Sequence, residues 1–143
     1  MQTVNSILVY TDLSPASAEA VQAAKALARA THAALEVVRV VAEPLVADWT
    51  AEMSAAGLPA VQEAMETEAQ EWLDRVLGEV GMAGVELAVA MGDPAGELAR
   101  RVETQRPDLV VLGAARGSEG RDMTEMARDF VGAVSCSVLL VRA

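Results

Sequence analysis

The sequence predicts an α/β domain in which helices cover both faces of one doubly wound parallel sheet. Five strand-like segments alternate with four helix-like segments along residues 1–143, and no linker divides them. This alternation favours a single domain with a parallel sheet and right-handed crossovers. The run from Asp108 to Gly113 holds four apolar residues without interruption, which is typical of a strand buried on both faces. Ser14-Pro15 and Asp93-Pro94 each place an N-cap residue before a proline, and so mark helix starts.

Short apolar runs define the strands. The alternating run Val85–Val89 is typical of an edge strand with one solvent-facing side. The predicted strands cover residues 7–10, 35–41, 85–89, 109–112 and 138–141.

Apolar residues at helical spacing define the helices. A second helix is predicted from Pro59, and Arg106-Pro107 ends the third. Residues 42–58 are predicted to be irregular apart from a short helix, and they carry Trp49 and Met53. The apolar stripes of the second and fourth helices are Val61, Met65, Ala69, Trp72, Val76 and Val80, and Met123, Met126, Ala127, Phe130 and Val134.

Composition excludes several classes of protein. No apolar run approaches the roughly 18–20 residues that a membrane span requires. The first residues lack the basic segment with which a secretory signal begins, so such a signal is not expected. The single Cys136 cannot form an internal disulfide, and it is predicted to be a buried, inert thiol. These features predict a cytoplasmic protein without membrane contact. A net charge of −10 argues against direct nucleic-acid binding.

The glycines after the strand at residues 109–112 indicate a nucleotide-type site. Gly113, Gly117 and Gly120 follow it closely, and glycine lets a backbone approach a ligand such as phosphate. Gly113 could instead serve only tight packing of strand against helix. Asp12, after the first strand, could likewise be an ordinary turn carboxylate.

Four stretches resemble the universal stress protein family: 7–17, 92–95, 108–113 and the tail 136–141. The resemblance covers the whole chain in order. It implies the adenine-nucleotide-binding-like fold with strand order 3-2-1-4-5, a role in stress response, and a homodimer. We expect the dimer to form through the apolar strand Val138–Val141, by antiparallel pairing that covers an exposed edge. ATP or AMP is the ligand that the resemblance implies.

The resemblance also implies a set of nucleotide-binding positions. Asp12 would contact the adenine or ribose end, Val40 would pack on the base, and the glycine loop would hold the phosphates. Ligands of open α/β sheets bind where strand order reverses, between the strands that end in Asp12 and Gly113. The implied positions are Thr11, Asp12, Val40, Leu112, Gly113, Arg116, Gly117, Gly120 and Arg121.

The phosphate loop departs from the family pattern of glycine, two residues, glycine, nine residues, glycine and serine or threonine. Three residues separate Gly113 from Gly117, and Thr124 and Glu125 stand where the final glycine-serine pair is expected. Glu125 would repel phosphate near a helix start, although Arg116 and Arg121 could compensate. Nucleotide binding is therefore predicted to be weak or absent.

No catalytic or metal-binding constellation is evident in the sequence. The chain has one histidine and one cysteine, and it lacks both the P-loop and the glycine-x-serine-x-glycine motif. We therefore predict a non-enzymatic protein that acts through interaction. The alternative is an ATP- or AMP-binding module with slow ATP hydrolysis. A third hypothesis, a flavodoxin-like electron carrier, is disfavoured because aromatic residues are scarce.

Overall fold

The computed structural model describes residues 3–41, 58–114 and 121–142. Strands and helices alternate through these ranges as predicted. None of the helices described there is long and apolar enough to cross a membrane. The elements in chain order are β1 Ser6–Thr11, α1 Pro15–Thr31, β2 Ala34–Val41, α2 Leu58–Gly81, β3 Val85–Met91, α3 Pro94–Gln105, β4 Leu109–Ala114, α4 Arg121–Ala133 and β5 Ser137–Arg142.

The five strands form one sheet in the order β3-β2-β1-β4-β5, and every neighbouring pair is parallel. The register aligns Ile7 of β1 with Leu35 of β2 on one side and with Leu109 of β4 on the other. The predicted topology is therefore confirmed. β1 and β4 are adjacent at the centre, and β3 and β5 form the two edges.

Each face of the sheet has its own core, because side chains alternate along a strand. Ile7 and Val9 of β1 belong to a buried cluster with residues of α1 and α2. Leu8 and Tyr10 belong to a second cluster, together with residues of α3 and α4. This arrangement confirms that helices cover both faces of the sheet.

The helix starts follow the sequence signals. The Ser14 side chain accepts a hydrogen bond from the Ser17 backbone N–H at 3.2 Å, and Pro15 opens α1. The Asp93 carboxylate accepts from the Gly96 N–H at 2.9 Å at the start of α3. Both caps satisfy donors that the first helical turn leaves without partners.

The prediction that the apolar stripe of α2 extends to Val80 is wrong. Val80 is 87 % exposed, because the backbone leaves helical geometry at Gly78, with φ 72° and ψ 172°. That turn removes Val80 from the face that buries Val61, Met65 and Ala69. The sequence analysis also missed Leu73, which is fully buried against α1 and the sheet.

Cys136 is half-buried, so its predicted burial is only partial. Burial raises the pKa of the thiol above its ordinary value. A raised pKa favours the protonated form, which is the weaker nucleophile. The predicted irregular segment lies outside the described residues, except that Leu58 begins α2.

Candidate functional site

The candidate site lies at the carboxyl ends of β1 and β4. These neighbours connect in opposite directions, since β1 leads toward β2 and β3 while β4 leads toward β5. Strand order therefore reverses between them, which is where open α/β sheets bind ligands. The structure brings the end of β4 against the start of α1, so the two halves of the predicted site meet.

Gly113 makes this contact. A Cβ atom at Gly113 would overlap the backbone carbonyl of Ala16 and would lie 3.0 Å from the Ser17 nitrogen. The packing interpretation of Gly113 thus has a direct structural basis. Only a residue without a side chain lets the end of β4 come this close to the α1 backbone.

Thr11 is fully buried, and its hydroxyl is used inside the β1–α1 turn. Its Oγ1 accepts a hydrogen bond from the Leu13 N–H at 2.9 Å and lies 2.8 Å from the Ser17 Oγ. The Ser17 hydroxyl donates to the Ser14 carbonyl at 2.9 Å, so Thr11 is the donor in the Thr11–Ser17 bond. Each hydroxyl proton then has an acceptor. These hydrogen bonds hold the turn in place, and a nucleotide would have to displace them in order to bind the Thr11 hydroxyl.

Asp12 closes the same turn through its carboxylate. The Asp12 Oδ1 accepts from the Ser14 N–H at 3.0 Å, and Leu13 between them has a left-handed φ of 65°. This is the turn carboxylate that the sequence left open as an alternative. The side chain is nevertheless only half-buried, and its Oδ2 has no hydrogen-bond partner within residues 3–41, 58–114 and 121–142. Asp12 can therefore hold the turn and still offer an oxygen to a ligand.

The side chains of Val40 and Leu112 lie in the core beside the site and are not on its surface. Val40 is 1 % exposed and Leu112 is fully buried, and both belong to the core cluster on the α3 and α4 face. The Val40 carbonyl accepts a long hydrogen bond from the Arg39 guanidinium at 3.4 Å. Neither side chain is open to a ligand in this structure.

Tyr10 is a neighbour of the site that the sequence analysis missed. It is the only tyrosine in the chain and is 4 % exposed at the end of β1. Burial, reinforced by the Asp12 carboxylate and opposed by Arg39, raises its pKa from 10.0 to about 12. Its position at the end of the first strand, two residues before Asp12, was the available signal.

Four of the predicted positions lie wholly or partly outside the described residues. Arg116, Gly117 and Gly120 lie outside the described residues. Arg121 begins α4, but the side chains of residues 121–125 lie outside the description, and they include Thr124 and Glu125. Within the ranges described, no three histidine, cysteine, aspartate or glutamate side chains are grouped as a metal site would require.

A protein-family model for the universal stress protein family matches residues 3–142, nearly the whole chain. The chain belongs to the universal stress protein family. Ninety-eight chains of known structure match it. No protein of curated function matches the chain in sequence.

Three solved structures illustrate the similarity to universal stress proteins. UspA from Lactobacillus plantarum is 16 % identical with a TM-score of 0.75, over 99 % of this chain and 100 % of that one. A universal stress protein in complex with cAMP is 19 % identical with a TM-score of 0.63, over 98 % of each chain. One from Archaeoglobus fulgidus in complex with dAMP is 15 % identical with a TM-score of 0.61, over 96 % of this chain and 97 % of that one. At such identities the likeness establishes the fold.

Proposed function

We propose that this universal stress protein acts in stress response as a homodimer, through interaction, and binds adenine nucleotides weakly or not at all. The observation that carries the proposal is the altered phosphate loop, in which Thr124 and Glu125 replace a glycine-serine pair. A glycine there would let backbone N–H groups approach phosphate, whereas threonine adds a branched side chain and Glu125 adds negative charge.

The described half of the site supports weak binding. The Thr11 hydroxyl and one Asp12 oxygen already have partners within the turn. The side chains of Val40 and Leu112 are buried. A nucleotide would gain few new contacts without first displacing existing ones.

The open edge of the sheet supports dimerisation. Among the strands that the structure describes, β5 has only β4 as a neighbour, and its Leu139 and Leu140 are 38 % and 44 % exposed. Leu140, Val138 and the exposed Val131 of α4 line an apolar cavity of about 550 Å³ beside this edge. An exposed apolar edge strand is a template for pairing, and a second copy placed antiparallel would cover it.

A second candidate function is an adenine-nucleotide-binding module with slow ATP hydrolysis. The Asp12 Oδ2, which has no hydrogen-bond partner among the described residues, favours it, because a carboxylate oxygen at the switch point can accept a hydrogen bond from a ribose hydroxyl. The cAMP and dAMP complexes of related structures make adenine nucleotides the ligand class to test. Arg116 and Arg121 would supply the positive charge in that case.

Calorimetric titration of nucleotide-stripped protein with ATP and AMP tests the two candidates. Losing two hydrogen bonds to an anion costs on the order of 3–6 kcal/mol, which weakens a micromolar affinity to roughly millimolar. We expect dissociation constants in that weak range, with Asp12→Ala as a control that shows whether residual binding uses this site. A dissociation constant near micromolar, or ATP copurifying with the chain, would show that the proposal is wrong.

A further inference from the structure

Tyr10 lies in the same buried cluster as Val40, the residue that the family resemblance places against the base. Its ring is buried in the same cluster as Val40, Leu98 and Leu112. Tyr10 pairs in register with Val38, one step before Val40 on the same face of the sheet. The ring thus shares its cluster with Val40, near the end of β2, and Leu112, near the end of β4, which a base would have to contact.

Tyr10 is the next-to-last residue of β1, so it lies close to the carboxyl edge of the sheet. The charged groups that affect its pKa are Asp12, directly after β1, and Arg39, within β2. The hydroxyl makes no hydrogen bond to any residue in the part of the chain that the structure describes. The ring is therefore buried next to this edge, without a described polar contact that requires a tyrosine there.

We propose that the Tyr10 ring fills the base end of the nucleotide site and excludes adenine from contact with Val40. The inference deepens the proposed function and rests on it, because it supplies a second cause of weak binding, separate from the phosphate loop. A phenol ring and a purine are both flat and apolar-faced, so one space cannot hold both at close-packed density. Leu98 belongs to the same cluster, but it lies inside helix α3, whereas Tyr10 lies next to the end of β1.

Adenosine is the appropriate probe, because it has a base and no phosphate. Tyr10→Ala and Tyr10→Val both shorten the side chain, and valine, like tyrosine, is favoured in strands. We expect adenosine to bind each folded variant about tenfold or more tightly than the unaltered chain, measured by calorimetry. A folded variant that binds adenosine no better than the unaltered chain overturns the proposal.

Two matched variants distinguish the removal of this ring from cavity formation in general. Tyr10→Phe keeps the ring and removes only the hydroxyl, so adenosine affinity should not change. Leu8→Ala opens the same core cluster two residues further from the site, and it should not improve adenosine binding either. An equal gain in Leu8→Ala would contradict the proposal, because the position of the ring would then be irrelevant.

A measurement on the unaltered chain keeps the inference testable if the shortened variants fail to fold. Methyl NMR with millimolar adenosine should leave the Val40 and Leu112 signals unmoved, and shifts at both would overturn the inference. The proposed function can fail separately. Tight ATP binding by the unaltered chain contradicts the phosphate-loop argument, whereas the adenosine series tests Tyr10 without any phosphate.

Discussion

Gly113 packs directly against the backbone of Ala16, so that the end of the central strand β4 touches the first turn of α1. The contact joins two segments almost a hundred residues apart. It also places the predicted phosphate glycine beside the turn that carries Asp12. The same glycine thus serves the fold at the place where the family resemblance predicts a ligand.

Gly113→Ala should lower the free energy of unfolding by about 1–3 kcal/mol, because the new methyl group would overlap the Ala16 carbonyl and force the backbones apart. Urea unfolding measures the change. Gly132→Ala is the matched control, since a Cβ there meets no atom within 4 Å and α4 should gain about 1 kcal/mol of helix propensity. Equal stability of Gly113→Ala and the unaltered chain would rule out the close contact.

Ser17→Ala should cost about 1–3 kcal/mol, because it removes the buried partner of the Thr11 hydroxyl. Ser17 itself is fully buried, so water cannot easily replace the lost hydrogen bond. Thermal unfolding followed by circular dichroism reports the loss. Ser135→Ala, at an exposed position, should change stability little. A neutral Ser17→Ala variant would show that the hydroxyl network contributes nothing to the turn.

Leu140→Lys should shift the proposed homodimer toward monomer while the chain stays folded. Leu140 is 44 % exposed on the edge strand, so a lysine can reach solvent in the monomer but would be buried in a paired edge. Light scattering at micromolar concentration measures the shift. Glu86→Lys on the opposite edge strand β3 is the control and should leave the dimer intact.

A monomeric unaltered chain at that concentration would contradict the dimer proposal. Unfolding of Leu140→Lys would instead show that its side chain is needed by the chain's own α4. In that case the apolar edge serves intramolecular packing.

Tyr10 should titrate near pH 12 in the folded chain. Burial raises its pKa from 10.0 to about 12, so the stabilisation from a neutral Tyr10 is fully present below pH 10.0. It is lost as pH rises toward about 12, and in total it amounts to roughly 2–3 kcal/mol. Because the chain has a single tyrosine, tyrosinate absorbance reports this residue alone. The same titration in denaturant should have its midpoint near 10.0, and a midpoint near 10.0 in the folded chain would contradict the burial.

Local sequence signals were sufficient to predict the alternation of strands and helices. The cap-and-proline pairs at Ser14 and Asp93 gave the helix starts, since those bonds form within one turn of the chain. The strand order needed the family resemblance as well, because alternation alone leaves several orders open. The stripe of α2 was misjudged at Val80, since one glycine in a left-handed conformation redirects the chain without altering the apolar spacing.

The sequence by itself determined the elements and the parallel sheet, because hydrophobic period and turn chemistry are local properties. The end of the sheet at which a ligand would bind stays a prediction. Tertiary structure alone decided what the named residues do there. It gave Gly113 a packing role against Ala16, tied Thr11 to Ser17, and buried Val40 in the same cluster as Tyr10. These outcomes depend on contacts between distant segments, which spacing along one segment cannot specify.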